Sequence, residues 1–116
     1  MGVFKRREER MNNKKLEDGF YVAVIRRVAV KQGRFGEYLE VTFGIGANGI
    51  TRRAILDTWV GERNLTRQFI DALKIEKDIE EIEEKDLIGR VVVVELKTVE
   101  GKKGKFQKIV SFREVK

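Results

Sequence analysis

Leu39, Val41, Phe43 and Ile45 alternate with Tyr38, Glu40, Thr42 and Gly44. Alternation over eight residues demands a β-strand with one apolar face on a core. Glycine-rich turns bound the run on both sides, at Gln32–Gly36 and at Gly46-Ala47-Asn48-Gly49. A strand closed by tight turns at both ends belongs with antiparallel neighbours, because parallel strands need long crossovers.

The neighbouring runs fit that frame. Phe20 to Lys31 is rich in valine. Tyr21, Ala23 and Ile25 share one parity, whereas Val28 and Val30 fall on the other. A one-residue β-bulge near Arg26-Arg27 reconciles the two halves and bends the strand. Thr51 to Val60 is a third strand. It sets Arg53, Ile55, Asp57 and Trp59 against Arg52, Ala54, Leu56 and Thr58, and its pattern leaves the inner face open. After Gly61 the period changes, with Leu65, Phe69 and Leu73 recurring at helical spacing. The spacing predicts a helix over 63–74, capped by Asn64 or Thr66. Ile75, Ile79 and Ile82 punctuate an acidic stretch that holds a short second helix or an irregular excursion. Val91 to Leu96 reads as a fourth strand. In a fifth, Phe106, Lys108, Val110 and Phe112 oppose Gln107, Ile109, Ser111 and Arg113.

Three strands, a helix and two strands, with a long bulged first strand, is the element order of the five-stranded OB barrel. The expected fold is therefore mainly β, an OB-type barrel with one helix between strands three and four. An SH3-like barrel or a split α+β sheet would use similar strands and turns. The expected organisation is a flexible basic arm over residues 1–15, with six bases against two acids, followed by one domain over 16–116.

Composition narrows the chemistry. The chain has no cysteine and no histidine, and Ser111 is its only serine. Thiolate, imidazole and the usual zinc chemistry are absent. No enzymatic activity, cofactor or metal is expected, since the helical glutamates lack the spacing of a calcium loop. No apolar run is long enough to span a membrane, and the charged N-terminus is not a secretory signal, so a cytoplasmic protein is expected. The formal charge of +6 conceals a partition. Residues 76–86 carry seven acids and two lysines, so the rest of the chain carries +11. An excess of that size fits an acidic partner. The acidic segment in turn offers a surface for a protein partner or for another copy of the chain.

Gly33-Arg34-Phe35-Gly36 and Gly101-Lys102-Lys103-Gly104-Lys105-Phe106 share one texture: cations between two glycines, with an aromatic ring. Cations neutralise phosphates, rings stack on bases, and glycine permits close backbone approach. In an OB barrel the loops joining strands one to two and four to five flank the ligand face. These are the same two loops. The candidate nucleic-acid-binding residues are Arg34, Phe35, Tyr38, Arg52, Trp59, Lys102, Lys103, Lys105 and Phe106. Arg52 and Arg53 are adjacent on one strand, so at most one lines the groove. The Gly-x-x-Gly spacing also occurs in KH domains, but there it joins helices.

Gly19-Phe20-Tyr21-Val22-Ala23-Val24-Ile25, then Gly36-Glu37-Tyr38-Leu39-Glu40-Val41-Thr42-Phe43, resembles the opening of phage and prokaryotic single-stranded DNA-binding proteins of OB type. Asp86-Leu87-Ile88-Gly89-Arg90-Val91 and the lysine-rich hairpin after it are similar to their second half. The resemblance spans about residues 17–114. It implies binding of single strands without catalysis. Stacking and phosphate contacts serve DNA and RNA alike, so an RNA-binding OB domain stays open, as does a protein–protein OB subunit of a larger assembly. The bacterial replication proteins of that type end in a flexible acidic tail. This sequence ends Phe112-Arg113-Glu114-Val115-Lys116, so recruitment of partners through such a tail is not expected.

Overall fold

The computed structural model describes residues 16–46 and 49–116. The expected basic arm and the centre of the Gly46–Gly49 turn lie outside the described residues. Five antiparallel strands form a single sheet: β1 (Gly19–Gly33), β2 (Gly36–Ile45), β3 (Ile50–Asp57), β4 (Val91–Gly101) and β5 (Gly104–Arg113). Their order across the sheet is β3-β2-β1-β4-β5. Helix α1 (Leu65–Leu73), a 3-10 turn (Ile79–Glu81) and the short helix α2 (Glu84–Leu87) all lie between β3 and β4. None of the described helices is long and apolar enough to cross a membrane.

The bulge expected in β1 is present. Ile25 pairs with Phe43 and Arg27 with Thr42, which leaves Arg26 as the extra residue. Ala23 and Ile25 before it and Val28 after it thereby share the buried face. The bulge is also where the acidic segment returns to the sheet. Ile25 N donates to Arg90 O and Gly89 N to Ile25 O, both at 2.8 Å.

A single parity for the fifth strand is overturned. Glu95 pairs with Ser111 but Leu96 pairs with Ile109, so Val110 is a second bulge. It turns Ile109 and Phe112, three residues apart, into the same core. Alternation alone conceals this because Ile109 and Val110 are consecutive apolar residues. In β3 the inner face belongs to Ala54 and Leu56, while Ile55 faces solvent.

Three phenylalanines fasten the helix to the sheet. Phe43 of β2, Phe69 of α1 and Phe112 of β5 meet with ring centroids 5.1 to 6.1 Å apart. Edge-on and tilted contacts of this kind add to the burial of the rings themselves. Asn64 caps α1, its Oδ1 accepting from Arg67 N at 2.9 Å. Thr66, the other candidate cap, is buried and donates its hydroxyl to Asp57 O at 2.8 Å. That bond holds the helix start against the end of β3.

The acidic stretch is ordered by its own charges. Asp86 accepts from Glu83 N at 2.9 Å and from Lys77 Nζ at 2.9 Å. The Glu83 amide first, then the Lys77 ammonium, hold the Asp86 carboxyl below its ordinary range.

The hydrogen-bonded ladder is not closed. β3 and β5 are its two edges, and both contribute side chains to one core. The described sheet is thus an open one, with a seam where a closed barrel would pair β3 with β5. Arg52 spans that seam, its Nε 3.1 Å from Gln107 Oε1.

Candidate nucleic-acid interface

Both glycine-bracketed loops are hairpin turns of the same form. Gly33 pairs with Gly36 across Arg34-Phe35, and Gly101 pairs with Gly104 across Lys102-Lys103. Gly36 and Gly104 have φ of 112° and 117°, a region that side chains disfavour. The second turn is tighter than the loop expected over Gly101–Phe106, since β4 runs to Gly101 and β5 begins at Gly104. Lys105 is therefore a strand residue.

The register builds the outer face row by row. Across β1, β2 and β3 the rows are Lys31, Tyr38, Asp57; then Ala29, Glu40, Ile55; then Arg27, Thr42, Arg53. Directly paired residues share a face. Tyr38 thus stands opposite the buried parity of Val41 and Phe43, as its alternation requires, and is half-buried. Phe35 is 97% exposed at the turn. Trp59, just past the end of β3, is 72% exposed at the same end of the sheet as Tyr38. Glu40 occupies the middle row. Its carboxylate lies 3.2 Å from Lys31 Nζ and 3.5 Å from Arg53 Nη1.

Arg52 has the inner parity, shared with Ala54 and Leu56, and does not lie on this outer face. It sits at the start of β3 and turns into the seam. There Nη1 donates to Thr51 O at 2.9 Å while Nε donates to Gln107. An open cleft of about 470 Å³ is lined by Leu16, Arg52, Thr98, Lys105, Phe106 and Gln107. Beside it Lys102 and Lys103 border a second cleft of about 400 Å³, shared with Lys105 and Phe106.

Asp18 organises the seam from behind. It accepts from Thr98 N at 2.9 Å, from Thr98 Oγ1 at 2.8 Å and from Gln107 Nε2 at 3.0 Å. The Thr98 amide first, then the Gln107 amide and the Thr98 hydroxyl, keep its carboxyl below the ordinary range. Gln107 Nε2 also donates to Leu16 O at 2.8 Å. The Gln107 side chain thus has both ends committed, and it holds the Arg52 guanidinium in one orientation.

The nine candidate residues therefore form two groups. Arg52, Lys102, Lys103, Lys105 and Phe106 gather at the β4–β5 hairpin. Arg34, Phe35, Tyr38 and Trp59 gather at the β1–β2 hairpin. The five steps along β3 from Arg52 to Asp57 separate them, about 17 Å at the rise of an extended strand. Among the described residues, Arg34, Lys102, Lys103 and Lys105 make no ion pair. Sequence reasoning missed Glu40 and Arg53, which lie between the groups, Lys31, which shares the row of Tyr38, and Gln107, which orients Arg52. The alternation of β2 already put Glu40 on the outer face. Nothing local ties Gln107 to Arg52, 55 residues away. Among the described residues no cluster of His, Cys, Asp or Glu is placed to hold a metal ion. No protein-family model matches the chain, and no curated protein matches its sequence.

Proposed function

We propose that the chain binds single-stranded DNA with little sequence preference and without catalysis, on an OB-type barrel left open between β3 and β5. The strand order supports that barrel: joining the two edges of β3-β2-β1-β4-β5 gives the cyclic order of an OB fold. One observation carries the binding reading. Four aromatic rings are held at the two ends of β3, three of them largely exposed, and cations free of ion pairs among the described residues accompany them at both ends. Stacking tolerates any base, and cations follow the backbone, so the two together favour a single strand over a duplex. Glu40 and Arg53 fit the middle of the path, and Lys31 reaches Glu40 from the row of Tyr38. Glu40 offsets two cations there, which leaves the strongest net positive charge at the hairpin tips.

Titration of fluorescent oligo-dT against a duplex of equal length, over a salt series, tests the reading. The single strand is expected to bind tighter. With about four phosphates neutralised, the log–log salt slope should be near −3. Equal or tighter duplex binding would sink it. Competition between matched DNA and RNA strands then assigns the polymer, since only contacts to the 2′-hydroxyl distinguish them. The acidic segment 76–86 is proposed as the docking surface for a protein partner or a second copy. Glu80 and Glu81 of its 3-10 turn are exposed and make no ion pair among the described residues.

A further inference from the structure

We infer that Gly33, Gly61 and Gly101 are positioning residues, each a seat on which one stacking ring is laid. The inference rests on the proposed single-strand binding and names the residues that set its geometry. A Cβ added to Gly33 would stand 3.0 Å from Tyr38 Cε1 and 3.1 Å from Cδ1. One added to Gly101 would stand 2.7 Å from Phe106 Cε1 and 3.3 Å from Cδ1. One added to Gly61 would stand 2.6 Å from Trp59 Cζ3 and 3.0 Å from Cη2. All three rings therefore rest directly on glycine backbone.

None of these glycines has a positive φ, so chain conformation does not require glycine there. The ring requires it. In each hairpin the other glycine behaves in the opposite way. Gly36 and Gly104 have positive φ, and nothing lies within 4 Å of an added Cβ. Within each Gly-x-x-Gly turn, the first glycine seats a ring and the second bends the chain. The ring comes two residues after the second glycine in both cases, at Tyr38 and at Phe106.

A ring laid on backbone has part of its apolar surface covered, so it is not driven into the core. Its opposite face stays open: Trp59 and Phe106 remain 72% and 52% exposed. Its side-chain freedom is already restricted before any base arrives, so less is lost on stacking. Phe35, 97% exposed, rests on no glycine among the described residues.

Gly101→Ala puts a methyl group where the Phe106 ring lies and leaves every charge in place. Fluorescence anisotropy with oligo-dT is expected to show about five- to tenfold weaker binding, the loss of one stacked base. The melting temperature should hold or rise slightly, because alanine restricts the unfolded chain. In a Phe106→Ala background, Gly101→Ala should add nothing further, since its effect passes through the ring. Equal weakening in both backgrounds, or a large loss of melting temperature, overturns the inference. Gly33→Ala should repeat the pattern through Tyr38 with a smaller effect, its contact being softer. NMR supplies a readout free of any ligand. The Hα protons of Gly33, Gly61 and Gly101 should be shifted upfield by the overlying rings, and the shift at Gly101 should vanish in Phe106→Ala. Ordinary glycine shifts overturn the seats whatever the protein binds. Upfield shifts with no binding to oligo-dT overturn the proposed function and its stacking role, while the seats stand.

Discussion

The two glycine hairpins use one local design and receive different tertiary support. The β1–β2 hairpin is flanked by β3 to within two residues of its turn, where Tyr38 pairs with Asp57. The β4–β5 hairpin projects. The last β1–β4 pair is Gly19 with Leu96, so Lys97 to Gly101 have only β5 beside them. Side chains hold that projection down: Asp18 on Thr98, and Gln107 between Asp18, Leu16 O and Arg52. A hairpin supported by a third strand shares the stability of the sheet. One anchored by side chains opens locally at lower free energy. The first suits a fixed stacking surface, and the second an adjustable cationic clamp.

The largest effect is expected from the projecting tip. Changing Lys102, Lys103 and Lys105 together to alanine should weaken all single strands alike, by about a hundredfold at 0.1 M salt if each meets one phosphate. The salt slope should fall by about 2 with melting temperature unchanged. An unaltered slope would move the cationic contribution to the β1–β2 end and reverse the comparison.

Tyr38→Ala tests the supported tip. Losing a stacked base is worth about 1–3 kcal/mol, so affinity should drop roughly tenfold or more with little change in melting temperature. The opposite pattern, a lower melting temperature with binding retained by the folded fraction, would make Tyr38 a packing residue.

The bending glycines separate the hairpins by stability. Alanine at Gly36 or Gly104 should introduce strain of about 1–2 kcal/mol. At Gly36 that strain should appear in global unfolding, because β2 is paired on both sides. At Gly104 it should appear chiefly as faster hydrogen exchange over Thr98–Gln107. Identical responses at the two positions would erase the distinction between supported and projecting tips.

Asp18 should give the smallest effect, and its sign follows from its pKa. The folded carboxyl is held below its ordinary value. Its stabilisation is therefore fully present above that ordinary value and is lost as pH falls through the folded one. Protection of the Thr98 amide should decline in acid in the wild type. Asp18→Asn should start lower and lose that acid dependence. A wild-type amide insensitive to acid would show that the anchor lies elsewhere.

Much of the fold was legible in residue order. The β2 alternation, a bulge near Arg26-Arg27, a cap at Asn64 or Thr66 and both hairpin turns depend on neighbours a few residues apart, and short-range sterics and periodicity record such neighbours directly. Less of the site was legible. Tyr38 could be assigned to the outer face because every second residue of β2 is apolar. Arg52 could not be assigned, because both faces of β3 carry apolar and charged residues alike.

The sequence by itself determined a mainly β chain with a bulged first strand, two equivalent hairpins, one capped helix and an excess of cations outside residues 76–86. Only the tertiary structure decided which face of β3 is buried, that Val110 is a bulge, and that β3 and β5 are left unpaired as edges. It alone brought Arg52 to Gln107 and laid Tyr38, Trp59 and Phe106 on glycines. The physical reason is the range of the determinants. Parity, turns and caps are set by the residue's own backbone. The inner face of β3, the seam contacts and the ring seats depend on which distant surface competes for the same side chain, and that is decided only when the core of Phe43, Phe69 and Phe112 closes.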